Sequence, residues 1–258
     1  MKFFINADDF GMTKTKTEAI DKGIRSGLIQ RASIVMNGSE TETAVKLAKE
    51  GGYEDRLCLH LNIAECKPLT DEFRKTRLCD KDGNIIMMYS RRFLMHCLSP
   101  KFRKAMAAEF EAQIKKFRDY GFKSKHIDSH IWCMCYLPTL DILQPLLKKY
   151  GFETTRTMYG HRLSACGGYM YKYNRKVYKR IKEMFELPTH WAGCAAEFSK
   201  DLAGHRLKPH YCIELYVHPA MHNGEVVDLM FDYDRVEVPL SKEISIINES
   251  AEHIDIFD

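Results

Sequence analysis

Phe3-Phe-Ile-Asn-Ala-Asp-Asp-Phe-Gly11 is a short apolar run that closes on two adjacent carboxylates, Asp8 and Asp9, and a glycine. Phe3–Ala7 has the length and make-up of a buried strand. Thr13–Ser26 follows with helical spacing, and Gly27 is its stop signal. The alternation repeats down the chain. Further strands are predicted at Ala32–Met36, Leu57–Ile63, His126–Trp132, Glu153–Met158 and His210–Val217. Helices are predicted at Glu40–Glu50, Phe102–Tyr120 and Leu140–Tyr150, the last with Pro145 inside it, and Asn37-Gly38 reads as a turn. Repeated strand–helix units imply an α/β fold with a parallel sheet, open or closed into a barrel. Ligand sites in both arrangements lie at the C-terminal ends of the strands.

The chain has 258 residues, the size of one α/β barrel, and no linker, repeat or low-complexity tract, so a single domain over 1–258 is expected. Variable insertions are expected near 64–100 and 160–190. A composition of 45% hydrophobic and 29% charged residues is that of an ordinary globular protein. No apolar stretch approaches the roughly 20 residues that span a bilayer. The apolar start is a few residues long and runs into Asp8 and Asp9, unlike a signal peptide. Nine cysteines without an export signal read as reduced thiols in the cytoplasm, and Cys133 and Cys135 as packing residues on one strand face. A net charge of +4 is too mild to imply a nucleic-acid partner. The basic run Tyr171–Lys182 reads as an amphipathic helix with a solvated face.

Three predicted strands share a pattern that an ordinary sheet does not need. With period 2, Leu57–Ile63 puts Cys58, His60 and Asn62 on one face, opposite its leucines. His126–Trp132 carries His126, Asp128, His130 and Trp132 on one face, and Cys212–His218 carries Cys212, Glu214, Tyr216 and His218. Both faces of a parallel sheet are covered, so these polar faces must line a barrel lumen or crevice. Ionisable groups buried there are costly unless paired or bound to metal.

Metal chemistry fits the set. His60, His130 and one carboxylate of the Asp8–Asp9 pair make a three-ligand site with positions left for water and substrate. The other carboxylate is then free to take a proton from a water that the metal has acidified. His218, on a separate strand, suits the general acid, with Glu214 near it as an orienter. Arg156 is placed to hold an acidic or oxygen-rich partner. His126 and Asp128 stay open between structural roles and the site.

These residues resemble the YdjC-like family of carbohydrate deacetylases, which includes the diacetylchitobiose deacetylases. The matching pieces are Asn6-Ala-Asp-Asp-Phe-Gly11, Arg31-Ala-Ser-Ile-Val-Met-Asn-Gly38, Leu59-His-Leu-Asn-Ile63 with Lys67-Pro-Leu69, His126-Ile-Asp-Ser-His130 and Glu214-Leu-Tyr-Val-His-Pro219. They stand in the family's order and span most of the chain. The resemblance implies a distorted β/α (TIM-like) barrel related to the NodB-type polysaccharide deacetylases. It further implies a divalent metal described as magnesium, and hydrolysis of N-acetyl groups on amino sugars or short chitin-type oligosaccharides. Carried over by position, it implies Asp9, His60 and His130 as metal ligands, Asp8 as base and His218 as acid. The family follows Asp-Ser-His with further histidines, whereas this chain continues Ile131-Trp-Cys-Met-Cys135, and the glycine after His-Pro is Ala220. Trp132 offers a sugar ring a stacking face, and with Arg156 and Glu214 it makes up the expected substrate side.

Two rival readings remain at this stage. One is a metal-dependent hydrolase or isomerase of another small molecule, such as a phosphoester, which the missing glycine-rich phosphate loop disfavours. The other is a non-catalytic carbohydrate-binding relative, supported by the altered 131–135 segment. Two imidazoles suit zinc, manganese or cobalt by ligand preference, against magnesium by resemblance. The expected partner is a small carbohydrate, with neither nucleic acid nor membrane. Whether the chain forms a homo-oligomer stays open.

Overall fold

The computed structural model describes residues 1–86, 99–156, 168–187, 189–229 and 238–253. Strand and helix alternate as β1 (Lys2–Phe10), α1 (Lys14–Arg25), β2 (Arg31–Val35), α2 (Thr41–Gly51), β3 (Leu57–Leu61), α3 (Asp71–Arg74) and α4 (Pro100–Asp119). They continue as β4 (His126–Ser129), a 3-10 segment (His130–Cys135), α5 (Leu137–Tyr150), β5 (Thr154–Thr155), α6 (Gly168–Met184), β6 (Trp191–Gly193), α7 (Ala195–Ala203) and β7 (Cys212–Val217). An antiparallel sheet of β8 (Pro219–His222), β9 (Glu225–Asp228) and β10 (Val238–Pro239) follows, then α8 (Leu240–Asn248) and β11 (Glu252–His253).

The parallel strands stand in the order β5-β4-β3-β2-β1-β7-β6, with β11 paired to the start of β1. Among the described residues, β5 meets the segment that leads to β6 through a parallel bridge, Thr154 to Glu186. The sheet therefore curls into an incomplete, distorted β/α barrel, as the strand–helix alternation implied.

Alternation decides which side of each strand meets the helices. Phe3, Ile5, Ala7, Ala32, Ile34, Leu57, Leu59, Ile127, Ile213, Leu215 and Val217 all join the apolar core. The α4 stripe of Phe102, Met106, Phe110, Ile114 and Phe117 is buried against it, each side chain worth about 1.5–3 kcal/mol of burial. The opposite faces carry Asn6, Asp8, Ser33, His60, Asp128 and Glu214, and all are buried. That is the polar lumen the sequence predicted.

Several boundaries differ from the sequence reading. The strand expected over His126–Trp132 ends at Ser129, where the ladder to β3 ends at the Leu61–Ser129 pair. Beyond it the chain turns into the 3-10 segment, so Cys133 and Cys135 are not on a strand. Ile131 there has φ 44°, an unusual conformation for a β-branched residue. The strand expected over Glu153–Met158 is reduced to Thr154–Thr155 among the described residues, and Met158 lies outside them. The helix with Pro145 does form. Of the insertions expected near 64–100 and 160–190, residues 87–98, 160–167 and 188 lie outside the described residues, while Tyr171–Lys182 is helical as expected.

Candidate metal centre

The first strand is not regular where it matters. Ala7 pairs with Ala32 and Phe10 with Ile34, so β1 advances three residues while β2 advances two. The extra residue makes a β-bulge at Asp8–Asp9, and Asp9 takes the left-handed φ of 72°. In a flat strand, neighbouring side chains point to opposite faces. A bulge re-aims one of them, and here it brings both carboxylates to the same lumen. Asp pays less than most residues for the left-handed conformation.

Asp9 Oδ1 lies 2.7 Å from His130 Nδ1 and 3.4 Å from His60 Nε2. The Oδ2 atom accepts from Lys16 Nζ at 2.6 Å. His60 is held from behind, its Nδ1 2.7 Å from Asp128 Oδ1, while Ser33 donates to Asp128 Oδ2 at 2.6 Å. This leaves Nε2 of His60 as the nitrogen facing Asp9. A carboxylate behind an imidazole is the usual support of a metal-binding histidine, so Asp128 has the orienting role that the sequence left open.

Asp8 faces a different partner. Arg156 grips it in a two-pronged fork, Nη1 to Oδ2 at 2.8 Å and Nη2 to Oδ1 at 2.6 Å, and Asn6 donates to Oδ1 at 2.8 Å. The same guanidinium donates through Nε to Glu214 Oε1 at 2.8 Å and lies 3.0 Å from Asp128 Oδ2. The face of Arg156 covers the Tyr216 ring at 5.0 Å. Arg156 was expected on the substrate side, and the structure gives each of its nitrogens a protein carboxylate. Glu214 is fully buried between Arg156 and Arg31, its Oε2 without a hydrogen-bond partner among the described residues. His126 is spent on Arg31 Nη2 at 3.0 Å and Thr154 Oγ1 at 3.0 Å.

His218, just past β7, places Nε2 3.9 Å from Asp8 Oδ2. Its backbone N–H donates to Asp228 Oδ1 at 2.8 Å, which ties the residue to β9. The side chain of Trp132 lies outside the described residues.

Electrostatics follow from this packing. Burial raises the pKa of Asp9, but the charge and hydrogen bonds of His130, His60 and Lys16 outweigh it and hold the carboxyl well below its usual range. Burial disfavours the charged forms of His60 and His130. Asp128, Asp8 and Asp9 nevertheless push His60 up to about 10, and Asp9 raises His130. Burial lowers His218, against the opposing charges of Asp9 and Asp8. Asp128 is lowered, Arg156 and His60 overcoming the effect of burial. The positive charge that the carboxylates require comes from Arg156 and Lys16, joined by the raised imidazoles of His60 and His130.

Among the described residues, three sets of buried side chains have ligand atoms within 4.8 Å of one another: Asp9-His60-His130, Asp8-His60-Asp128 and Cys58-His126-Asp128. Arg156 already neutralises Asp8 and Asp128, and Arg31 stands against His126. Only the first set keeps an oxygen and two imidazole nitrogens turned toward each other. His130 Nε2 is also buried with no partner in hydrogen-bond range among the described residues, Glu65 Oε1 lying 3.8 Å away. The donor set fits a divalent ion.

Sequence reasoning missed Lys16, Glu65, Asp228 and the supporting pair Arg31 and Ser33. Lys16 and Glu65 sit among ordinary surface charges, with no spacing to mark them. Ser33 was visible by period 2 on β2.

A family model described as YdjC-like protein matches residues 2–251. Among relatives, a carbohydrate deacetylase of Oceanobacillus iheyensis is 30% identical over 150 residues, 58% of this chain and 62% of that protein. One of Danio rerio is 26% identical over 72% of this chain and 60% of its own length. One of Listeria welshimeri is 24% identical over 96% of this chain and 91% of its own. With the first two, the match thus spans about three-fifths of the relative's length. A crystal structure of an Enterococcus faecalis protein, provisionally named for cellobiose-phosphate cleavage, superposes with a TM-score of 0.64 over 86% of this chain and 82% of that one. At 20% identity this likeness concerns the fold. The bulged carboxylate pair, the facing histidines and the matched span from the first strand to residue 251 together make this chain a member of the YdjC-like family.

Proposed function

We propose that the chain is a metal-dependent hydrolase that removes N-acetyl groups from amino sugars or short chitin-type oligosaccharides. One observation carries the reading: Asp8 and His218 stand 3.9 Å apart beside the Asp9-His60-His130 donor set. A candidate proton acceptor and a candidate proton donor therefore stand side by side next to the candidate metal ligands. Relatives named carbohydrate deacetylase supply the substrate class.

Asp9, His60 and His130 would hold the ion, which supplies a Lewis acid to polarise the acetamide carbonyl and to acidify a water. Magnesium follows from the family resemblance, whereas two imidazoles suit zinc, manganese or cobalt. Asp8, fixed by the Arg156 fork, accepts the proton of the attacking water. His218, 3.9 Å from Asp8, takes up that proton in turn and delivers it to the departing amine nitrogen. Arg156 acts through Asp8 and is a positioning residue, and Glu214 in turn holds Arg156.

Seven cysteines among the described residues are free thiols, which supports a reducing, cytoplasmic setting. No helix among the described residues is long and apolar enough to cross a membrane.

The test is acetate release from diacetylchitobiose by protein stripped of metal and reloaded with magnesium, manganese, cobalt or zinc. Wild type should turn over. His60→Ala should lose both metal and activity. His218→Asn should keep metal and lose about 10²–10⁴ in rate. Equal rates in wild type and His60→Ala would refute the mechanism.

A further inference from the structure

Lys16 has no part in the chemistry above, yet its ammonium lies on the candidate metal ligand. It stands in the first turn of α1, whose N-cap is Thr13. Lys16 Nζ is 2.6 Å from Asp9 Oδ2 and 3.9 Å from Met12 Sδ. Its side chain is 21% exposed, against 1% for Asp9. The two oxygens of Asp9 are thereby divided: Oδ1 faces His130 and His60, and Oδ2 faces Lys16.

We propose that Lys16 is a resident counter-ion of the metal centre, which keeps Asp9 a one-oxygen ligand and weakens the site's affinity for divalent cations. This rests on Asp9, His60 and His130 as the ligand set, and it does not depend on the reaction. A cation on one oxygen of a carboxylate draws electron density from the other, so Asp9 is a weaker donor toward a metal. The fixed positive charge also repels an incoming divalent ion. Removing it frees Oδ2 and makes a two-oxygen Asp9 available.

The opposite holds without metal. There Lys16 is one of the few charges that compensate a buried carboxylate, and its loss leaves Asp9 short of a partner. Lys16 therefore stabilises the metal-free fold and opposes metal loading, which makes the ion exchangeable rather than permanent. A lysine of merely structural use would not shift these two properties in opposite directions.

The experiment uses chelator-stripped full chain titrated with manganese, zinc or magnesium salts alone, by calorimetry, with thermal melts before and after loading. The variants are Lys16→Met, which keeps the apolar stem, Lys16→Gln as a second neutral replacement, and Lys16→Arg. The neutral variants should bind metal about tenfold more tightly or better, the scale of a unit charge against a divalent ion at close range even in water. Their metal-free forms should melt lower than wild type, and Lys16→Arg should stay within a few-fold of wild-type affinity. Binding by a neutral variant where wild type shows none would support the proposal most strongly. Unchanged or weaker affinity in both neutral variants overturns it and leaves the metal-site reading standing. No cation binding by any of the proteins overturns both.

Discussion

At the scale of single residues the centre is a ledger of opposite charges, and Arg156 is its largest entry. Its one guanidinium faces Asp8, Asp128 and Glu214, and the side chain is only 10% exposed. Removing one partner of a buried ion pair leaves the other charge uncompensated, at a cost of about 3–5 kcal/mol. Arg156→Met should therefore lower unfolding free energy by an amount on that order in denaturant titrations. Arg156→Lys should recover little of it, because an ammonium has no planar fork to grip Asp8. Stability of Arg156→Lys equal to wild type would show that charge alone suffices. The sequence placed Arg156 on a strand and could offer it only a generic anionic partner. Three carboxylates from β1, β4 and β7 meet around it because the sheet curls, and no local spacing encodes that meeting.

At the scale of elements, α4 does more than cover the sheet. Its apolar stripe was legible from helical spacing, and its buried polar residues were not. Glu109 accepts from the backbone N–H of Leu69 at 3.0 Å and of Thr70 at 2.9 Å, and from Thr70 Oγ1 at 2.8 Å. Gln113 accepts from Asn62 N–H at 3.0 Å and donates to Asn62 O at 2.7 Å. The helix thereby pins both ends of the loop after β3, and Glu65 of that loop reaches toward His130. Glu109→Ala would leave two backbone donors unsatisfied in a crowded place, costing about 1–3 kcal/mol. Faster amide exchange should then appear across residues 62–70 first. Exchange that rises uniformly over the chain would argue against a local pin.

A second element-scale device joins the turns after β1 and β2. A Cβ on Gly38 would come within 2.1 Å of the Gly11 carbonyl oxygen, so the two turns touch backbone to backbone. The sequence marked Asn37-Gly38 as a turn from composition. The reason glycine is needed there lies in the neighbouring loop.

At the scale of the whole molecule, stability should follow pH in a way that the buried groups dictate. Asp9 and Asp128 have lowered pKa values, so their contributions are present above the unfolded carboxylate range and fade as pH falls through their folded values. His60 is raised to about 10, so its contribution is full below the unfolded histidine value and is lost as pH rises through about 10. Asp228 on β9 meets Glu243 on α8, and burial together with that second carboxyl pushes Asp228 up to about 8. Its contribution is full below the unfolded carboxylate value and is lost as pH climbs to about 8. Metal-free protein should therefore lose stability through mildly alkaline pH. Asp228→Asn should make that fall shallower below pH 8, by at most about 1.4 kcal/mol per pH unit. Denaturant midpoints of chelated protein at pH 5, 7 and 9 would measure it. An unchanged slope in the variant would place the titration elsewhere.

The class of fold was legible along the chain, because the alternation of short apolar runs and helical stripes is a local property. The sequence also marked His60, Asp128 and Glu214 as inward-facing, because period 2 on a strand covered on both faces leaves no solvent for them. How these groups pair is fixed in space, not along the chain. The bulge that turns Asp8 and Asp9 toward one lumen, the Arg156 fork, the Asp128 support behind His60 and the Lys16 contact each join residues through space. Charges pair according to distance and burial, and those are set when the sheet curls and its strands come into register.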